Sequence, residues 1–362
     1  MTTPVPVAAP SLVAAAAPLA GLSAAVEMEE PVRRRRRGAP SADTMQALAA
    51  EAAVDARHFR ELVIDAETHV DIVKLRLAAR GGVPDSARAH VWPYLLGVWA
   101  PEKFDELTAR RRMQVDYSSA LSIALDVTGP GGSGIDSDTA RRVRAELKRR
   151  ASRDSTALVP PDQYWDVARV VAAQLSTAAE AAADNDDRPS YEYSPGMVTL
   201  ASQLVIVCET EVEAYHCYAS LMRRHERLFT TDGLAAATGR FLMLFRVLQP
   251  ELYEAFESEE VDARAWVPAW LQGLLGRQLP TECSRRLWDT YLTGVDVEGE
   301  GEGLDLHPYV CLAILDCMQE QLLEVEAPEM LAVLAHLPEL DMDQCITRAC
   351  NYRDDVKGRG LL

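Results

Sequence analysis

Apolar residues recur along most of the chain at intervals of three and four, the spacing of one helix face, and period-two alternation is scarce. The densest example opens at Pro195-Gly196. Met197, Leu200, Ala201, Leu204 and Val205 follow at helical spacing, and proline suits a first helical turn because its missing N–H has no partner there. A second helix is predicted from Glu211, with Ala214, Tyr215, Tyr218, Leu221 and Met222 on one face. Glu209, Glu211 and Glu213 surround its start, where carboxylates complement the positive end of the helix dipole. Alone, these stretches specify two packed core helices.

The same spacing organises the rest. A helical region is predicted from Asp43 to about Arg80, with Phe59, Leu62, Val63, Val70, Val73, Leu75 and Leu77 as candidate core positions. Gly81-Gly82-Val83-Pro84 ends it. Asp85 or Ser86 then caps a helix that puts Arg88 and Trp92 on one face. Further helices are predicted over 101–125, 135–153, 165–183, 232–257, 262–276, 281–292, 307–323 and 328–337, and from Asp341 onward. Breaks fall at the glycine-rich stretch 129–134, at Pro160-Pro161, at the polar cluster after Asp184 and at the acidic glycine loop 294–303. The predicted fold class is all-α.

Composition narrows the function. A net charge of −18, from 37 basic and 55 acidic residues, disfavours sequence-independent nucleic-acid binding, which rests on Lys and Arg neutralising phosphates. The seven cysteines are odd in number and include no C-x-x-C, which reads as reduced core thiols in a cytoplasmic protein. Cys208, His216 and Cys217 lack the spacing of the usual structural zinc sites. The first 42 residues, rich in Ala, Pro and Arg, read as a disordered tail. Its apolar part is mostly Ala, is interrupted by Pro10 and Pro18, and makes a poor signal or anchor. The arginine run Arg33–Arg37 reads as an import patch, a weak contact for anionic lipid or a solvated tether, and Glu27, Glu29 and Glu30 beside it blunt any lipid attraction.

No nucleotide fingerprint, Ser/His/Asp order or metal-ligand cluster stands out. The glycines of 129–134 are not followed by the Gly-Lys-Ser/Thr of a phosphate-binding loop. What remains is a basic helix opened by Asp138 and Arg141, three apart and therefore side by side. Such a pair is either an ordinary solvated ion pair or a cation held ready by its neighbour.

Several pieces together resemble the TBC domain, the helical module of Rab GTPase-activating proteins. Gly82-Val83-Pro84 followed by Arg88-x-x-x-Trp92-x-x-Leu95-Leu96-Gly97 resembles the family's opening motif. Ile135-x-x-Asp138-x-x-Arg141 is similar to its I-x-x-D-x-x-R, with Arg142 where the family usually has Thr. Tyr193-Ser194-Pro195-Gly196-Met197-x-x-Leu200 is similar to Y-x-Q-G-M-x-x-L, and Leu287-Trp288-Asp289-x-Tyr291-Leu292 resembles a later segment. The resemblance covers roughly residues 75–350. It implies two packed helical subdomains of the Rab-GAP type, an N-terminal half over 43–230 and a C-terminal half over 231–362.

The resemblance also implies a job. Such domains engage a Rab-type small GTPase that carries GTP and Mg²⁺; they hold no cofactor of their own and regulate a partner's reaction. Arg141 corresponds to the arginine inserted into the partner, with Asp138 holding it. Tyr193, Pro195, Gly196 and Met197 correspond to the second finger loop, and Arg88, Trp92, Trp288 and Asp289 to structural motif positions. Pro195 departs from the pattern, because it replaces the glutamine that aligns the attacking water. The expectation is therefore a GTPase activator of reduced activity, or else a module of the same fold that binds a GTPase or scaffold without accelerating hydrolysis. Its expected place is cytoplasmic or peripheral to endomembranes, with membrane contact only indirect or weak.

Overall fold

Helix α7, Pro195–Val207, is buried without a break from Met197 to Val205. A helix apolar on all sides has to be surrounded by other elements. A computed structural model of the chain describes residues 55–124, 138–153, 159–184, 191–294 and 302–360, all within one compact unit, Ala47–Leu362. The expectations for the tail, Arg33–Arg37, the 129–134 glycines, Ile135, and most of the 294–303 loop lie outside the described residues.

The described fold is all-α. Helix α1 spans residues 55–63. It is followed by α2 (Ile72–Ala79), α3 (Asp85–Leu95), α4 (Glu106–Ala124), α5 (Asp138–Arg153), α6 (Tyr164–Asp184), α7 and α8 (Glu211–His225). The second part comprises α9 (Thr231–Leu248), α10 (Pro250–Ser258), α11 (Val267–Gly273), α12 (Thr281–Thr293), α13 (Glu302–Asp305), α14 (His307–Cys317), α15 (Gln319–Leu323), α16 (Ala327–Ala335) and α17 (Met342–Gly358). Helices α5, α6 and α8 pack on α7 from the first part and α11 packs on it from the second. No strand occurs among the described residues, and one isolated antiparallel bridge joins His69 and Glu102. No helix among them is long and apolar enough to cross a membrane.

The polar side chains of α7 bond in place to neighbouring elements or to their own helix. Gln203 donates to the Gly276 carbonyl and to the Ser284 hydroxyl, each at 3.1 Å, and so is committed to the interior.

Four expected boundaries differ. The helical region predicted from Asp43 to Arg80 breaks between α1 and α2, where the Val70 N–H bonds the Pro101 carbonyl and Asp71 caps the Lys74 N–H at 3.0 Å. Val73 and Leu77, expected in the core, are 68% and 60% exposed, because Leu75 and Ala79 take the inward face of this short helix. The helix predicted over 232–257 breaks at Gln249, since the residue before a proline avoids helical backbone. The helix predicted over 307–323 breaks at Met318.

Helix α11 ends earlier than the predicted 276, because Leu274 and Leu275 take left-handed backbone angles, with φ of 48° and 58°. The last carbonyls of such a helix lack intrahelical partners. Two buried histidines add donors there, at the Leu271 and Gln272 carbonyls and at the Trp270 carbonyl, which also accepts the Leu274 N–H. The His225 Nε2–H faces the Leu271 and Gln272 carbonyls at 3.1 and 3.3 Å. The His307 Nε2–H faces the Trp270 carbonyl at 2.9 Å while its Nδ1 accepts from the Tyr291 hydroxyl at 2.7 Å. One neutral tautomer satisfies each ring.

Burial pushes these imidazoles down, His225 to about 4 and His307 to about 3. Unfolded histidines bind a proton near pH ~6.5. From there down to about 4 the unfolded state therefore holds more protons, and stability falls as pH falls; above that window the histidines contribute no pH dependence. Urea midpoints should drop between pH ~7.5 and ~5.5, and the drop should shrink in a His225→Gln variant. A midpoint that stays flat across this interval contradicts two neutral buried rings.

Candidate functional site

The basic helix α5 is anchored from beneath. The Arg144 guanidinium lies 3.6 Å from the centre of the Trp165 ring on α6, and Val143 and Leu147 are buried. Its solvent face carries Arg141, Arg142 and Arg149. The Arg141 side chain is 61% exposed, with its Nη1 3.2 Å from Asp138 Oδ1. An exposed ion pair of this kind contributes only about 0.3–0.5 kcal/mol, so Asp138 biases the guanidinium without locking it.

The next residues tie α5 to the 193–197 loop. Arg142 stacks over the Tyr193 ring at 4.6 Å, a cation–π contact. Two turns on, the largely buried Arg150 donates to Glu146 at 2.9 Å, to the Thr199 hydroxyl at 3.0 Å and to the Pro195 carbonyl at 2.9 Å. Burial alone would raise the Glu146 carboxyl, but hydrogen bonds from Arg150 and Arg149 outweigh it and hold the group below the usual carboxylate range. Burial likewise draws Arg150 below the ordinary guanidinium value.

From the other side α11 closes the loop. The Ser194 hydroxyl donates to Gln272 Oε1 at 3.0 Å, and Gln272 Nε2 donates to the Leu228 carbonyl at 2.8 Å. Gly196 is needed for this approach, since a Cβ there would sit 2.8 Å from Gln272 Cβ and 3.3 Å from the Phe229 ring. Gly196→Ala is expected to destabilise the fold by about 1–3 kcal/mol, the usual cost of overpacking. Chemical denaturation measures it, and an unchanged stability would show that the loop does not press on α11.

Within the loop, Pro195 is exposed and Tyr193 half-buried, whereas Met197 has no exposed surface and supports the loop from the core. Pro195 takes the first position of α7, with Ser194 as its cap. Between α5 and the loop lies a shallow hollow of about 340 Å³ lined by Arg142, Ala145, Arg149, Tyr193 and Pro195. Arg141 stands one helical turn before Ala145, at the edge of this hollow. The structure thus brings Asp138, Arg141, Tyr193 and Pro195 to one basic face of an acidic protein. Such a face attracts anionic groups.

Arg88, Trp92, Trp288 and Asp289 form a separate buried cluster. Asp289 accepts from Arg88 Nη2 at 3.0 Å, from Trp92 Nε1 at 2.7 Å and from the Val83 N–H at 2.9 Å, and the two indoles stack at 5.9 Å. Burial raises the Asp289 carboxyl despite Arg88 beside it. His216 turns its Nε2 to the Met113 carbonyl at 3.0 Å, and no group of three metal-capable side chains occurs among the described residues.

Sequence reasoning noted Arg142 only as a departure from the motif, with no role, and overlooked Arg150 and Gln272. The four-residue spacing of Glu146 and Arg150 was a visible helical pair. Nothing local marks Pro195 or Thr199 as the partners of Arg150, or Gln272 as the rear wall of the loop.

Comparison with known proteins fits this arrangement. Residues 185–323 match the family model described as the Rab-GTPase-TBC domain. Human TBC1 domain family member 17 is 30% identical over 163 residues, 43% of this chain and 24% of that protein. Human TBC1 domain family member 22A is 23% identical over 327 residues, 84% of this chain and 60% of that protein. The chain thus spans at most about three fifths of these two relatives. The fold is shared with the Ypt/Rab-GAP domain of Gyp1p, at a TM-score of 0.64 and 17% identity over 84% of this chain and 98% of that one. It is also shared with a Chlamydomonas flagellar RabGAP TBC domain, at 0.59 and 18% over 87% of this chain and 96% of that one. The helical fold and these matches together make the chain similar to TBC domain proteins, with the family model itself matching residues 185–323.

Proposed function

We propose that this protein is a GTPase-activating protein for a Rab-family small GTPase, with Arg141 entering the partner's nucleotide site. It regulates the partner's reaction and carries no cofactor; GTP and Mg²⁺ belong to the partner. The observation that carries the reading is the exposed Arg141 guanidinium on a helix whose neighbouring side chains grip the 193–197 loop. Phosphoryl transfer spreads negative charge over the transferred oxygens, and a cation placed there stabilises the transition state more than the ground state. The basic face steers association with the anionic nucleotide site, and Arg142 and Arg149 at the hollow add to that field. Membrane contact comes through the partner, and the setting is cytoplasmic.

Pro195 favours a second reading. Its side chain has neither donor nor acceptor, and its carbonyl is taken by Arg150. A missing group that aligns the water costs roughly 10²–10³ in rate. In the second reading the chain binds the GTP-loaded partner without speeding hydrolysis. In the first, the GTPase's own glutamine aligns the water, as in Ras-type enzymes, and reaches it over the hollow beside Pro195.

Single-turnover hydrolysis and binding across a panel of GTP-loaded Rab GTPases separates the two. Acceleration of at least one supports the activator; binding of the GTP state without acceleration supports the module. Neither binding nor acceleration on any member contradicts both.

A further inference from the structure

We propose that Cys317 and Cys345 form a redox-reactive dithiol, a modification site that peroxide converts into a disulfide joining α14 to α17. Their sulfurs lie 3.7 Å apart, in van der Waals contact, at the end of α14 and in the first turns of α17. A disulfide needs about 2.0 Å between sulfurs, a distance that small side-chain rotations on two packed helices can close. The Arg348 Nη1 lies 3.6 Å from the Cys317 sulfur, and the same guanidinium bonds Asp316. The Arg348 charge partly offsets the repulsion that Asp316 and Asp341 exert on a thiolate there.

The two thiols are not equivalent. Cys317 is half-buried and Cys345 only 1% exposed. The hydrogen bond shared with Cys345, and after it the charge of Arg348, draws Cys317 below the ordinary thiol value against its burial. The more exposed Cys317, with Arg348 against its sulfur, is the attacking sulfur, and the buried Cys345 is the resolving one. The Cys317 thiolate attacks one peroxide oxygen, the O–O bond breaks, and the hydroxide released takes up a proton to become water. Cys345 then attacks the resulting sulfenic sulfur, its S–H proton leaves with the displaced hydroxide, and a second water forms. Two thiols and one hydrogen peroxide yield one disulfide and two waters. The sulfurs are oxidised by two electrons and the peroxide is reduced by two.

Cys217 also bonds Cys208, but Cys217 and Cys311 are completely buried, and burial pushes both thiols up. Deeply buried thiols in apolar surroundings are inert. The dithiol is built on helices that contribute nothing to the Arg141 face, so the inference does not depend on the GTPase reading.

The test uses the full chain, treated with stoichiometric hydrogen peroxide and blocked with N-ethylmaleimide. It is then cut after acidic residues without reduction and mapped by mass spectrometry. The Cys317–Cys345 linked peptide should dominate the oxidised products and disappear with dithiothreitol. It should survive in Cys350→Ser, which removes the other cysteine on the same fragment. In Cys345→Ser, dimedone should trap sulfenic acid at Cys317. Arg348→Gln, a surface change whose fold is checked by circular dichroism, should slow cross-linking roughly threefold to tenfold. No linked peptide in the wild type, or oxidation of Cys350 as fast as the pair, would overturn the proposal.

Discussion

Asp289→Ala is expected to lower stability by about 3–5 kcal/mol, the cost of leaving a buried charge without its partner. Arg88 would be left 6% exposed, with the partly exposed Asp85 as its remaining carboxylate among the described residues. The Val83 N–H and Trp92 Nε1–H would lose their acceptor as well. Each buried donor left unsatisfied costs about 1–3 kcal/mol. Whole domains are stable by only about 5–15 kcal/mol, so the variant should melt roughly 6–20 °C lower or fail to fold. Replacing both partners, Arg88→Met with Asp289→Leu, should cost clearly less than the two single changes summed, because no orphaned charge remains. Thermal unfolding followed by circular dichroism reads all of these. If Asp289→Ala melts like the wild type, the cluster does not tie the 82–97 segment to α12.

Arg141→Ala carries the largest expected effect on activity. An arginine supplied in trans is worth ~10³–10⁵ in GTP hydrolysis, about 4–7 kcal/mol of barrier. Stability should barely move, because the side chain is 61% exposed and its ion pair with Asp138 is weak. The two readouts therefore separate a catalytic part from a structural one: stimulated hydrolysis falls to the intrinsic rate of the GTPase while the melting temperature holds. Asp138→Asn should lose far less, since it only orients the guanidinium. A variant that loses both activity and stability would mean Arg141 serves the fold.

How much of this was legible depended on how local each signal is. The all-α class followed from helical spacing that persists over most of the chain. The buried helix α7 followed from one dense run, and the break at Gln249 was available from Pro250. Leu75 against Val73 and Leu77 was not separable, because a short apolar stretch offers two competing faces and only packing selects one. The pairing of Arg88 and Trp92 was visible as four-residue spacing, but their meeting with Asp289, roughly two hundred positions away, was not. The same limit hid Arg150. Its carboxylate neighbour Glu146 lies one turn away, while Pro195 and Thr199 lie on another helix. Resemblance placed Arg141 and residues 193–197 in one functional unit; the contacts of Arg142, Arg150 and Gln272 supply the physical means by which they share a face.

The most direct measurement is single-turnover GTP hydrolysis on a responsive Rab by wild type, Arg141→Ala, Pro195→Gln and the double variant. Restoring an amide at position 195 should raise the rate, by up to about 10²–10³, and only where Arg141 is present. The double variant should stay near the intrinsic rate, a non-additivity expected of two groups serving one transition state. Equal stimulation by Pro195→Gln with and without Arg141, or undiminished activity in Arg141→Ala, would contradict a shared nucleotide pocket at this face.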